Sequence, residues 1–298
     1  MSLRIAVIGK TGQLARALLR EGEELGHEII ALGRDTLDLT SAPSIIEARI
    51  SELPSGLDAL VLAAAYTNVD GAESEVDTAY AVNATAPAIV ARACAQHDIP
   101  LIHISTDYVF NGEADIPYSP DDDTDPLGVY GASKLDGELA VLNSGARALI
   151  LRTSWVYDGD GRNFLTTMLR LAKTRDLISV VDDQIGRPTF AGHLASAILT
   201  AAEVLAQNPD IETSIFHVTN GGEPVSWAGF AKAIFKTAGV DVKVDGIPSS
   251  DYPTAAERPA FSVLDTESFE RTFLHPLPDW QSGLRAAIEV ALDRNTSD

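Results

Sequence analysis

The chain has 298 residues, 45% of them hydrophobic, with 43 acidic against 22 basic side chains and a formal net charge of −21. That length and core content suit one large α/β domain, or one domain with a smaller lobe. The acidic balance argues against a nucleic-acid or anionic-membrane surface, which needs clustered lysines and arginines, and no apolar run approaches the ~20 residues of a membrane span.

An anionic small ligand stays compatible with that charge, because helix N-termini and a few arginines make a positive pocket inside an acidic shell. The single cysteine, Cys94, leaves no internal disulfide to form and fits a reducing compartment. It lies in the apolar run AIVARACA and reads as a small core residue. The first residues, MSLRIAVIGK, lack the small-residue cleavage region of a signal peptide, so a cytoplasmic location is expected. Asp121, Asp122 and Asp123 are followed by neither the glycine turn nor the bidentate glutamate of a calcium loop, and no metal site is expected.

Residues 3–8 form an apolar strand, followed by Gly9-Lys10-Thr11-Gly12-Gln13-Leu14-Ala15 and a helical run through Leu18 and Leu19. Strand, glycine turn and helix in that order are the setting of a dinucleotide site. Gly9 permits the tight turn, Gly12 lets the backbone approach a pyrophosphate at the helix N-terminus, and Ala15 is small enough for close helix packing. A second strand, residues 28–32, ends in Gly33-Arg34. NAD-specific folds usually carry an acidic side chain there for the ribose 2′-hydroxyl; a glycine and an arginine suit a 2′-phosphate instead. NADPH is therefore the expected cofactor, with NADH left open, and Asp38-Leu39 begin the stretch expected beside the adenine.

A third strand, residues 57–63, runs into Ala64-Ala65-Tyr66-Thr67, whose small residues let a cofactor lie on the backbone at the strand's carboxyl end. The helix predicted over residues 74–97 is interrupted near Pro87 and contains Asn83, read as bonding a helix kink. Residues 101–104 are a fourth buried strand, leading into Ser105-Thr106-Asp107-Tyr108. Tyr130 and Lys134 open the next helix four residues apart, one turn from each other on one face. Such a pair forms an acid–base unit in which the ammonium lowers the pKa of a phenol that otherwise titrates near ~10. A hydroxyl from Ser105 or Thr106 is placed to share a substrate carbonyl with Tyr130.

The remaining signals are a strand at 148–153 ending in Ser154-Trp155, a helix at 164–171, a strand at 177–181, a helix at 194–205 and a strand at 215–219. Residues from 223 onward mix helix with proline-rich loops. Regular βα alternation stops near residue 155. The expected architecture is a Rossmann-type, doubly wound parallel sheet over residues 1–154, to which later segments return, with residues 155–298 mainly a smaller C-terminal substrate-binding lobe.

GKTGQL, NVDGAE, STDYVFNG, YGASKLDGE, RTSWVYDGDGRNF, DDQIGRPT and the closing RP…SVLDT…LPDW together resemble the extended short-chain dehydrogenase/reductase superfamily, specifically the dTDP-4-dehydrorhamnose reductases. The resemblance implies Tyr130 as proton donor, Lys134 as the lysine that tunes it and holds the nicotinamide ribose, and Thr106 as the paired hydroxyl. It implies a pyrophosphate turn at Gly12, Gln13 and Leu14, adenine contacts at Asp38 and Leu39, and third-strand contacts at Ala65, Tyr66 and Thr67. Asp107 neighbours the hydroxyl, and Tyr108 and Trp155 match substrate-sugar contacts. Arg187 and Arg258 are candidates for the substrate pyrophosphate, since guanidinium forks suit phosphate oxygens. The implied reaction is NADPH-dependent reduction of the C4 ketone of dTDP-4-dehydro-β-L-rhamnose.

Some members dimerise through magnesium held by glutamates in the first helix and after the PT motif. The matching stretches here read LARAL and FAGHL, without a glutamate, so a metal-independent monomer or weak homodimer is expected. Two other readings stay open: a reductase or epimerase of another 4-keto nucleotide sugar, and a non-catalytic regulatory subunit of methionine adenosyltransferase. Arg34→Ala should narrow the cofactor preference by weakening NADPH alone; equal losses of NADPH and NADH affinity would show that Arg34 does not read the 2′-phosphate.

Overall fold

In the computed structural model, which describes residues 2–295, β1 (Arg4–Ile8) and β2 (Glu28–Leu32) flank α1 (Gln13–Glu24). Next come α2 (Pro43–Ser51), β3 (Ala59–Leu62), the short helices α3 (Val69–Ala72) and α4 (Val76–Tyr80), and α5 (Ala86–Gln96). β4 (Leu101–Thr106), α6 (Val129–Leu142) and β5 (Ala148–Thr153) follow. β1, β3, β4 and β5 are short aliphatic runs buried on both faces, as a parallel sheet covered by helices requires. Six strands pair in parallel in the order β10-β5-β4-β3-β1-β2, where β10 is Ser214–His217. The winding reverses between β1 and β3, and such a switch point opens a crevice at the strands' carboxyl ends.

The chain builds a second layer after β5 without leaving the first. β6 (Val156–Tyr157) pairs with β9 (Thr189–Phe190), and β7 (Leu177–Val181) comes after α7 (Phe164–Ala172). β8 (Ile185–Gly186) pairs antiparallel with β11 (Val225–Ser226), which leads directly into α9 (Trp227–Ala238). β7 pairs with β12 (Lys243–Ile247). Between these, α8 (Ala191–Gln207) shares a hydrophobic core with α1, and β10 pairs with β5, so this stretch belongs to the nucleotide-fold side. α10 (Glu267–Phe273) and α11 (Trp280–Asn295) complete the two layers, with α11 joining α7 and α9 in a separate core.

Two local expectations are corrected. α2 carries no strong apolar periodicity and is absent from the sequence reading. The break in the 74–97 helix is a π-helical turn over Ala81–Thr85, upstream of Pro87, which sits in the first turn of α5 where its missing N–H costs nothing. Asn83 lies in that turn, and its amide reaches outward. It accepts from the Tyr66 amide at 2.8 Å and donates to the Tyr66 carbonyl and the Ser133 hydroxyl, both at 3.1 Å, tying the β3 loop to α6.

Beneath α6 the sheet is polar. Glu138 and Arg152 form a buried fork, with Arg152 Nε 2.9 Å from Oε1 and Nη2 2.7 Å from Oε2. Arg152 also donates to the Pro120 carbonyl at 3.3 Å and packs 5.1 Å from the Phe110 ring centroid. Removing one partner leaves an uncompensated buried charge. Arg152→Leu should therefore lower the unfolding free energy by about 3–5 kcal/mol in urea titration, and an unchanged midpoint would contradict this account of the pair.

Candidate active site

A cleft of about 920 Å³ runs along the carboxyl ends of the strands. At one end it follows the turn after β1. Gly9 has φ +122°, and nothing lies within 4 Å of where a Cβ on Gly12 would stand, so the backbone there faces open space. α1 begins at Gln13 with no carboxylate in its first turn, leaving its N–H groups and dipole available to an anion. Gln13 Nε2 donates to the Val156 carbonyl at 2.8 Å, while its Oε1 is buried without a partner. Leu14, Arg34, Asp38, Leu39, Ala65 and Thr67 line the same cleft. The Asp38 carboxyl accepts from the Thr40 amide and hydroxyl, which hold it below its ordinary value. An anion-ready helix start, a strand end with an arginine and an orphaned buried amide oxygen fit NADPH.

At the other end stand Thr106, Tyr130 and Lys134. α6 presses onto the turn after β4 and onto the π-helical turn because Gly131 and Gly137 have no side chains: a Cβ on Gly131 would collide with the Tyr108 carbonyl oxygen, and one on Gly137 with that of Asn83. Lys134 is buried and donates from Nζ to the Ile104 carbonyl at 2.6 Å. Tyr130 bonds Thr106 through its hydroxyl, and Tyr108 packs edge-on against the Tyr130 ring at 5.5 Å. The Thr106 hydroxyl donates to Asp107 Oδ1 at 3.0 Å and accepts from the Tyr108 amide at 3.3 Å.

The sequence reading has Lys134 lowering the Tyr130 pKa; the structure reverses that direction. Burial pushes the phenol up to about 12, against the Thr106 hydrogen bond and with the Asp107 charge, so Tyr130 holds its proton at neutral pH. The Lys134 ammonium is turned to a backbone carbonyl and is itself brought down to about 8 by burial, despite the Glu138 carboxylate one turn behind it. Burial likewise raises Asp107 to about 6, against hydrogen bonds from Ser262 and Thr106.

A family model for the RmlD substrate binding domain matches residues 3–292. The chain belongs to that family. It is 43% identical over 295 residues to the dTDP-4-dehydrorhamnose reductase of Sinorhizobium fredii, covering 97% of this chain and 98% of that protein. A crystal structure of a dTDP-4-dehydrorhamnose reductase from Clostridium acetobutylicum superposes with a TM-score of 0.90 at 34% identity, covering 97% of this chain and all of that one. The enzyme of the same name from Bacillus anthracis, solved in complex with NADP, superposes with a TM-score of 0.89 at 36% identity over 97% of this chain and 100% of that chain.

The cleft draws on both layers, and three predicted contacts lie elsewhere. Tyr66 does not line the cleft; its backbone is held by Asn83 and its hydroxyl turns to Glu75. Arg187 donates to the Gly222 and Leu264 carbonyls at 2.9 and 3.1 Å, stitching loops of the second layer. Arg258 pairs with Asp70 at 2.8 Å and donates to the Ala256 carbonyl, closing a loop over the β3 side. Asp107, Tyr108 and Trp155 do line the cleft. Sequence reasoning missed Lys10, Arg162 and Trp227, which line it too. The basic residue inside the glycine turn was the available signal for Lys10; Arg162, from a loop, and Trp227, at the start of α9, are distant in sequence and carry none.

The Lys134 shift makes a stability prediction. Its folded pKa lies below the ordinary 10.5, so folding disfavours the charged form. Below about pH 8 both states are protonated and the whole cost is present, roughly 3 kcal/mol; between about pH 8 and 10.5 the unfolded chain binds more protons and the cost is relieved. Lys134→Met should unfold at higher denaturant than the parent at pH 7, with the advantage shrinking from pH 8 to 10. An advantage constant across that range would contradict the assignment.

Proposed function

We propose that the chain reduces the C4 ketone of dTDP-4-dehydro-β-L-rhamnose to dTDP-L-rhamnose, using Tyr130, Lys134 and Thr106 at the nicotinamide end of the cleft. The observation that carries this reading is the convergence of a protonated, half-buried tyrosine, a buried lysine one turn along and a strand-end hydroxyl beside a dinucleotide-sized cleft. The named relatives, at about 40% identity over nearly their full length, support the sugar. An intact trio also disfavours the regulatory-subunit alternative.

NADPH, when bound, supplies the hydride to C4. Negative charge then develops on the carbonyl oxygen, and Tyr130 gives its proton to that oxygen. Thr106 stands beside it; turning its proton from Asp107 to the substrate gives the oxygen a second donor. Lys134 holds the nicotinamide ribose and places positive charge behind the tyrosine as it loses its proton. Gly12, Gln13 and Leu14 bind the pyrophosphate, Arg34 and Lys10 take the 2′-phosphate, and Asp38 with Leu39 flanks the adenine. Trp155 and Tyr108 contact the deoxysugar from a lobe made mainly by residues after 155.

Among the described residues no helix is long and apolar enough to cross a membrane. A cytoplasmic, metal-independent monomer or weak dimer is the proposed state, on the single cysteine and on LARAL and FAGHL lacking glutamates. Tyr130→Phe should keep NADPH affinity and lose about 10²-fold or more in turnover, the worth of a positioned acid, measured by NADPH absorbance with the 4-keto sugar nucleotide. Near-parental turnover would remove Tyr130 from the mechanism.

A further inference from the structure

Trp155 has a backbone cost to explain. It follows the end of β5 with φ +47°, a left-handed conformation that a bulky side chain occupies only when its surroundings over-determine it. What over-determines it is a second indole. Trp227 lies parallel to Trp155 with ring centroids 3.5 Å apart and 7° between planes. Gly186 completes the seat, because a Cβ there would approach Trp155 Cε2 to 2.6 Å.

Both partners of Trp155 hang from one rigid unit. Gly186 in β8 pairs with Val225 in β11, two residues before Trp227. Ser226 caps α9, accepting from the Gly229 amide at 2.9 Å and donating to the Asp182 carboxylate, which fixes Trp227 at the first helical position. Phe164 packs against Trp227 at 4.6 Å and joins it to the second-layer core. The stack thus links the end of a sheet strand to the smaller layer, at a point where both indoles line the cleft.

We infer that Trp227 is a positioning residue of the sugar subsite, holding the Trp155 indole where it grips the apolar face of a deoxyhexose. The inference rests on the proposed function, but adds a residue and a role to it. Trp227 lies outside the glycine turn and strand ends that hold the cofactor, so its loss should act on the sugar and spare the nucleotides.

The test uses the full chain and four ligands: the 4-keto substrate, dTDP-L-rhamnose and dTDP as inhibitors, and NADPH by titration. Trp227→Ala should raise the substrate KM and the dTDP-L-rhamnose inhibition constant by about tenfold or more, the scale of losing one apolar contact surface. kcat should fall less than KM rises, and the dTDP and NADPH constants should stay within about twofold. Trp227→Phe should recover most of the loss, since a ring remains to stack. Gly186→Ala should show the same sugar-selective loss by displacing Trp155 from its seat, which keeps the inference testable if Trp227→Ala folds poorly. Unchanged sugar constants in both Trp227→Ala and Gly186→Ala, or equal weakening of sugar nucleotide, dTDP and NADPH, would overturn it. A parental protein that binds neither thymidine nucleotide would overturn the proposed function and this inference together; parental turnover with unaffected variants overturns this inference alone.

Discussion

The site depends on how closely α6 can approach the turn after β4 and the π-helical turn beside it. Two missing side chains, at Gly131 and Gly137, let the helix sit against the Tyr108 and Asn83 carbonyls. That approach buries Lys134 far enough for its ammonium to reach the Ile104 carbonyl, and it puts the Tyr130 hydroxyl on Thr106. The same closeness desolvates both groups, raising the phenol and lowering the ammonium. One packing constraint therefore sets both the geometry and the protonation of Tyr130 and Lys134. A buried positive charge is unfavourable for folding, and the fold accepts that cost where chemistry needs it.

The polar floor beneath α6 distributes the support. Asn83 fixes the β3 loop and Ser133 together from within a π-helical turn, a device that costs helix regularity and gains a tie across two elements. The Glu138–Arg152 fork anchors the far end of α6 to β5. Above this floor the cleft is basic against an acidic whole: Lys10, Arg16, Arg34, Lys134 and Arg162 line it in a chain of net charge −21. A positive cleft with low-dielectric walls focuses its field on an anionic ligand even when the outer surface is negative.

The core of the sheet was readable from the sequence because β1, β2 and β3 are aliphatic runs ending in glycine or alanine, a local pattern with one dominant interpretation. Tyr130, Lys134 and the Thr106 hydroxyl were readable for the same reason, since helical spacing puts the first two on one face and the strand end supplies the third. The sign of the Tyr130 shift was not, because spacing shows a neighbouring charge but not the burial that outweighs it. Arg187 and Arg258 looked like phosphate ligands by side-chain chemistry; the loop carbonyls and the Asp70 carboxylate that engage them lie far away in sequence. Trp227 was missed because its role exists only in the stack with Trp155, which forms across 72 positions of chain and between two layers.

The most direct measurement of the central claim follows the transferred atoms. The protein is incubated with dTDP-4-dehydro-β-L-rhamnose and NADPH carrying deuterium at the transferred position of the nicotinamide, and the sugar nucleotide is then analysed by mass spectrometry and NMR. The account predicts dTDP-L-rhamnose heavier by one mass unit, with the label at C4, at a rate that Tyr130→Phe suppresses while cofactor binding persists. Cofactor binding without label transfer, or label transfer that Tyr130→Phe leaves untouched, would contradict it.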